Sequence, residues 1–230
     1  VHLFDIAPSQ RDELAHPVDQ LEGDRLWVIE HDGKQEVYFK QGQRNLFLAS
    51  VPGTPKVQLS IARADRRIGR WITWTDAQQK LWAMRTDAHG PHEPPFIISL
   101  PWPGSRACGQ PATDAVGRLV QPICVPAPQG DNVRLMAAVL SEPGTPQFRS
   151  MASFEPQALL SNVNAGGDID FISIRPQAID RFSLVATDDS ARPLVNTPLW
   201  RGQAHQRIVN AELIMTTNDP PEPAVVVTLD

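Results

Sequence analysis

The sequence predicts an all-β protein built from degenerate repeats, and three observations predict it. Prolines, 22 of them, are spread along a chain of 230 residues. Short apolar runs alternate with turn residues throughout, and similar hairpins recur in the same order. Each proline removes an amide donor and fixes φ, which leaves little room for long helices. The recurring unit is about 47 residues long, the length of a four-stranded blade, so a β-propeller-like fold of about five blades is expected. A tandem or single β-sandwich, with units of about 95 residues, is the alternative.

Residues 1–24 are polar and mixed and read as an N-terminal arm or a closing strand, with Leu3-Phe4-Asp5-Ile6 suited to the latter. The run from Arg11 to His16 suits one helical turn ended by Pro17. Leu26-Trp27-Val28-Ile29, the turn His31-Asp32-Gly33 and Val37-Tyr38-Phe39 read as a hairpin, since Asp-Gly supplies the positive φ of a tight turn. Leu46-Phe47-Leu48, Pro52-Gly53-Thr54-Pro55 and the run from Val57 to Ile61 suggest another. Trp71-Ile72-Thr73-Trp74, a polar turn at Asp76 and Leu81-Trp82-Ala83-Met84 form the clearest pair, with aromatic or β-branched residues on both arms. Further pairs are expected at Leu119–Val125 with Val133–Leu140, at Phe171–Ile174 with Phe182–Ala186, and at Leu213–Thr216 with Val225–Leu229. A helix fits only around Pro156–Leu160.

These segments start near residues 25, 71, 119, 169 and 211, and Pro-Gly-Thr-Pro occurs at both Pro52 and Pro143. Residues 25–230 therefore read as a single repeat-built β domain, with 25–115 and 118–230 as two β units in the alternative reading. Val1 in first position fits a processed mature chain, a chain freed from a tag, or a piece of a longer protein.

Composition is that of a globular protein, 41% hydrophobic and 20% charged. Net charge is −5, and no basic stripe is visible, which argues against nucleic acid as a partner. No apolar run approaches the roughly 18–20 residues of a membrane-spanning helix. Cys108 and Cys124, the two cysteines, flank a segment rich in Gly, Pro and polar residues. A disulfide between them would contribute about 3 kcal/mol by restricting the unfolded chain, and would place the protein in a secreted or periplasmic setting.

Candidate chemistry is sparse. Asp87, His89, His92 and Glu93 are suitable ligands for a divalent ion, although Gly90-Pro91 prevents the helix on which His-x-x-His pairs usually sit. Asn164, Asp168 and Asp170, among glycines, offer the oxygens that calcium requires, without the spacing of an EF-hand. An ordinary loop and an ordinary strand-entering turn explain the same residues, so no cofactor is expected beyond a weak case for calcium. Asp32, Asp76, Asp87, Asp168, Asp170 and Asp188 lie at strand ends or turns. They form a pool from which a glycosidase pair would have to be drawn. No nucleophile elbow, phosphate loop or dinucleotide fingerprint is present.

Aromatics are the better binding candidates. Trp71, Trp74 and Trp82 share one hairpin, and Trp71 and Trp74 must point to opposite faces because strand faces alternate with period two. Either one ring is exposed for stacking on a sugar or a protein partner, or both faces are packed. The expected function is a non-enzymatic recognition module of the cell exterior or periplasm, binding protein or glycan through loops. A glycan-processing hydrolase using turn carboxylates and a structural subunit of a surface or secretion assembly are the alternatives.

Overall fold

A computed structural model describes residues 15–21, 24–31, 34–41, 44–52, 58–61, 70–76, 78–87, 90–91, 93–127, 133–163, 167–185, 192–203, 207–215 and 223–229. Every regular element among them is a β-strand, and no helix occurs among the described residues. The strands form antiparallel sheets that follow one another along the chain.

The first sheet runs in the order β1 (Ala15–Leu21), β2 (Asp24–His31), β3 (Lys34–Gln41) and β4 (Arg44–Pro52). Leu26 lies opposite Phe39 and Trp27 opposite Tyr38, as the hairpin pattern predicts. Ala15 and His16 open β1 opposite Ile29 and Val28, so these two residues do not belong to a helical turn. Pro17 is tolerated there because β1 is the terminal strand of its sheet. Residues 1–14, including the expected closing strand Leu3-Phe4-Asp5-Ile6, lie outside the described residues.

The second sheet holds β5 (Gln58–Ile61), β6 (Arg70–Thr75), β7 (Leu81–Asp87) and β8 (Gly90–Pro91), with β9 (Phe96–Ile97) also against β7. The strands β4 and β5 do not pair with each other, contrary to the sequence reading: β4 completes the first sheet and β5 pairs with β6. In the third sheet β10 (Arg106–Ala107) and β11 (Ala112–Thr113) both pair with β12 (Leu119–Pro126), followed by β13 (Val133–Leu140) and β14 (Gln147–Ala152). The fourth runs β15 (Ala158–Val163), β16 (Ile169–Arg175), β17 (Ala178–Leu184) and β18 (Val195–Arg201). The fifth pairs β19 (Ile208–Met215) with β20 (Pro223–Leu229).

The short helix expected around Pro156–Leu160 is absent. Ala158–Leu160 instead open β15, where Leu159 faces Ser173 across the ladder. The strand satisfies the backbone groups of β16 on that side, which a helical turn would leave open. The second Pro-Gly-Thr-Pro copy joins β13 to β14 within one sheet, while Pro52 of the first copy ends the first sheet. The two copies are therefore not at equivalent places. The strand starts are the better marker: β2, β6, β12 and β16 begin at Asp24, Arg70, Leu119 and Ile169, and each is the second strand of its sheet.

Packing explains why these strands read as continuous apolar runs. Leu119, Ile123, Val125, Ala138 and Leu140 share one core with Trp71, Leu81 and Ala83 of the second sheet. Val120, Cys124, Leu135, Ala137 and Val139 share another with Leu159, Ile169, Phe171, Phe182 and Leu184 of the fourth. Ile172, Ile174 and Ile179 then pack against Ile208 of the fifth. The third and fourth sheets thus bury both faces, each against a neighbour in sequence order. Direct bonds tie the layers together. The Trp71 indole donates to the Gly117 carbonyl (2.9 Å), the Ala115 amide to the Gly167 carbonyl (3.1 Å), and the Ile208 amide to the Pro176 carbonyl (2.8 Å).

Candidate functional site

The disulfide expected from the sequence is present: Cys108 and Cys124 are bonded, with Cα atoms 5.6 Å apart. Cys124 lies on β12, and Cys108 follows β10, whose Arg106 lies opposite Cys124. The bond fastens the two-residue β10, which its ladder alone holds weakly, to the central strand of the sheet.

Tryptophans 71, 74 and 82 come together in the second sheet as expected, and their surroundings differ. Trp71 is wholly buried at 0% exposure and Trp74 nearly so at 3%. Opposite faces do receive the two rings, and both faces are packed. Trp82 is half-buried and stacks on Trp74 with an interplanar angle of 3° and centroids 6.1 Å apart. Its indole nitrogen donates to the Asp76 carboxylate at 2.8 Å. Burial tends to raise the Asp76 pKa, and this indole, the Lys80 and Gln78 amides and the Lys80 charge outweigh it, leaving the carboxyl below its ordinary value. Asp76 therefore holds a turn rather than standing ready as a proton donor.

The structure describes four of the seven metal candidates, Asp87, Glu93, Asp168 and Asp170. His89, His92 and Asn164 lie outside the described residues, as do Asp32 and Asp188. Asp87 ends β7 opposite Gly90, and the hairpin closes within the loop that was expected to carry ligands. Asp170 sits on β16 and accepts a hydrogen bond from the Ser183 hydroxyl. Among the described residues no group of three or more His, Cys, Asp or Glu side chains is placed to hold a metal.

A different constellation, which the sequence reading did not single out, lies at one end of the fourth sheet. The turn from β16 to β17 carries Arg175, Pro176, Gln177 and Ala178, and Arg201 ends β18 opposite Ala178. Together with Arg207, just before β19, these residues line a cavity of about 650 Å³ that is widely open to solvent. The Gly202 amide donates to the Gln177 carbonyl (3.0 Å), and the Ile208 amide to that of Pro176. The turn is thereby held to the chain that passes from the fourth sheet to the fifth.

Two of the arginines are oriented by one buried acid. Asp180, 1% exposed, accepts from Arg175 through Oδ2 at 2.6 Å and from Arg201 through Oδ1 at 2.5 Å. Burial would raise its pKa, but the hydrogen bonds and charges of Arg201 and Arg175 prevail and hold the carboxyl below its ordinary value. Arg201 is fixed further by donating to the Trp200 carbonyl (2.8 Å) and the Ile179 carbonyl (3.2 Å). The Arg175 guanidinium lies over the Phe154 ring, 3.9 Å from its centroid, in cation–π contact. Its Nε is buried and makes no hydrogen bond. A shift of register between Ile179 and Asp180 in the β17–β18 ladder marks a bulge, which re-aims the side chains that follow it. Arg175 is far in sequence from Arg201 and Arg207, and the three show no spacing signal; the bulged, doubly anchored strand ends bring them together.

No protein-family model matches the chain, and a comparison with curated proteins finds no similar sequence. Among the described residues no helix is long and apolar enough to cross a membrane.

Proposed function

We propose that this protein is a non-enzymatic recognition module of the cell exterior or periplasm, built on a propeller-like succession of sheets and binding its ligand at the arginine-lined cavity. The cavity lining carries this reading. Arg175, Arg201 and Arg207 present hydrogen-bond donors and no acceptor, and Pro176, Gln177 and Ala178 neither exchange protons nor act as nucleophiles. Such a lining can hold a ligand and orient it. It supplies no acid, base or nucleophile with which to transform one.

Layering supports the propeller-like arrangement over separate sandwiches. In a two-sheet sandwich each sheet has one core face and one solvent face, whereas here the third and fourth sheets each bury both. Radial stacking of consecutive blades produces that pattern. The Cys108–Cys124 disulfide supports an oxidising compartment.

Incubation with a panel of neutral and acidic oligosaccharides and chromogenic glycosides tests the reading, with products followed by mass spectrometry. Binding with no change in ligand mass is the expected result. Turnover of any bound compound, abolished by substitution of a turn aspartate, would overturn the non-enzymatic assignment in favour of a hydrolase.

A further inference from the structure

We infer that the cavity between Arg175, Arg201 and Arg207 takes a carboxylated organic ligand the size of a sugar acid. This inference rests on the recognition reading above and specifies its ligand.

Charge is the first argument. Three guanidiniums surround the cavity and one carboxylate, Asp180, opposes two of them. Three arginines against one carboxylate give the described lining an excess of positive charge inside a protein whose net charge is −5. An arginine cluster that exceeds its internal counter-charge attracts an external anion, and guanidinium forks suit the planar carboxylate best.

Preorganisation is the second. Asp180, almost wholly buried, holds Arg175 and Arg201 from behind. Exposure of 31% for Arg175 and 51% for Arg201 leaves part of each side chain facing outward. Neither side chain must be ordered anew when a ligand arrives, which lowers the entropic cost of binding.

Size and lining are the third. A bare sulfate or phosphate would fill little of about 650 Å³, a volume in the range of small-molecule sites. Pro176 and Ala178 give the lining an apolar part, and Gln177 brings an amide side chain. An anionic group on a compact, hydroxylated body meets all three kinds of surface, whereas an inorganic anion meets only the guanidiniums.

Calorimetric titration of the whole chain with sodium glucuronate, glucose and sodium sulfate tests this, with the Arg207→Gln variant in parallel. Arg207 is exposed and outside the Asp180 pairing, so the variant is expected to fold as the parent does, and its unfolding midpoint checks that. Glucuronate should bind, glucose should not, and sulfate should compete only weakly. Arg207→Gln should weaken glucuronate about tenfold, as loss of a charge-assisted contact does. Equal binding of glucose and glucuronate, sulfate binding as tight as glucuronate, an unaffected Arg207→Gln variant, or no heat with glucuronate would each overturn the inference. The recognition reading would survive any of these, since it fails only if a bound ligand is turned over.

Discussion

Asp76 and Asp114 close hairpins in two different sheets with the same set of hydrogen bonds. Oδ1 of Asp76 accepts from the Gln78 and Lys80 amides, both at 2.9 Å. Oδ1 of Asp114 accepts from the Val116 and Arg118 amides at 3.1 and 2.8 Å. In each turn the aspartate amide donates to the carbonyl four residues on, and the amide three residues on donates back to the aspartate carbonyl. The residue in that third place has positive φ, 62° at Gln79 and 86° at Gly117. Their second oxygens differ: Asp76 binds the Trp82 indole and Asp114 the Arg118 guanidinium at 2.6 Å.

Burial should separate the two in a mutational test. Asp114 is 1% exposed and Arg118 only 6%, so Asp114→Ala removes the carboxylate from a buried ion pair as well as from two amides. Losing one partner of a buried ion pair costs about 3–5 kcal/mol. Asp76 is half-buried in a turn whose amides water can reach, and Asp76→Ala should cost about 1–2 kcal/mol, as loss of a capping carboxylate does. Urea unfolding of the two variants reads the difference, and equal losses would show that the Arg118 pair adds nothing.

Gly167 makes a close approach between the third and fourth sheets. Its φ is +80°, and a Cβ there would lie 2.1 Å from the Ala115 Cβ and 2.7 Å from the Ala115 Cα. The Ala115 amide bonds the Gly167 carbonyl across the same gap. Gly167→Ala must therefore both adopt a left-handed backbone and push the third sheet from the fourth. A loss of 3 kcal/mol or more, to the point of failed folding, is the expected order. Gly144→Ala is the comparison, because no atom lies within 4 Å of the Cβ it would add. Similar losses for both, read from thermal melting, would mean that backbone strain and not the sheet contact dominates.

Much of this architecture was legible and some was not, for identifiable reasons. The Trp74–Trp82 and Phe171–Phe182 pairings follow from β-branched and aromatic runs on either side of polar turns. The shared turn was legible as well: Thr-Asp-Ala, two variable residues, a basic residue and Leu occur at 75–81 and 113–119. It does not mark the repeat, because the first copy joins β6 to β7 and the second β11 to β12, out of phase with the blade-length period. Burial of both Trp71 and Trp74 required knowing that both faces of β6 are covered. The arginine cavity had no local signature, since Arg175, Arg201 and Arg207 meet only through the Asp180 pairing and the strand-end contacts.

The disulfide should carry measurable stability. Cys108 and Cys124 are separated by 16 residues, a loop whose closure contributes about 3 kcal/mol in the chain-entropy account. Paired Cys108→Ser and Cys124→Ser substitution should lower the denaturant midpoint accordingly, and reductant should lower the melting temperature of the parent and leave that of the variant alone. Thiol titration of the denatured, unreduced protein should find no reactive sulfur. Two reactive thiols would remove the basis for an oxidising compartment.

Tyr38 offers a spectroscopic probe of the first sheet, because it is the one tyrosine in the sequence. Its ring packs edge-on to Phe47, and its hydroxyl donates to Glu36 Oε2 at 2.8 Å. Burial, then the hydrogen bond to Glu36, then the negative charge of Glu36 push its pKa from 10.0 to about 12. The folded state thus keeps a proton that the unfolded state releases near pH 10. The resulting stabilisation is complete below pH 10 and fades as pH rises through about 12, where Tyr38 ionises in the folded protein. A shift of that size corresponds to roughly 3 kcal/mol. Absorbance at the phenolate band should show a single late transition, which moves toward the ordinary value in Glu36→Gln, since that change removes the charge and leaves burial. Between pH 10 and 12 the parent should lose stability more steeply than Tyr38→Phe. A transition near pH 10 in the folded parent would contradict the packing described for Tyr38, and parallel stability profiles would deny Tyr38 any part in the alkaline loss.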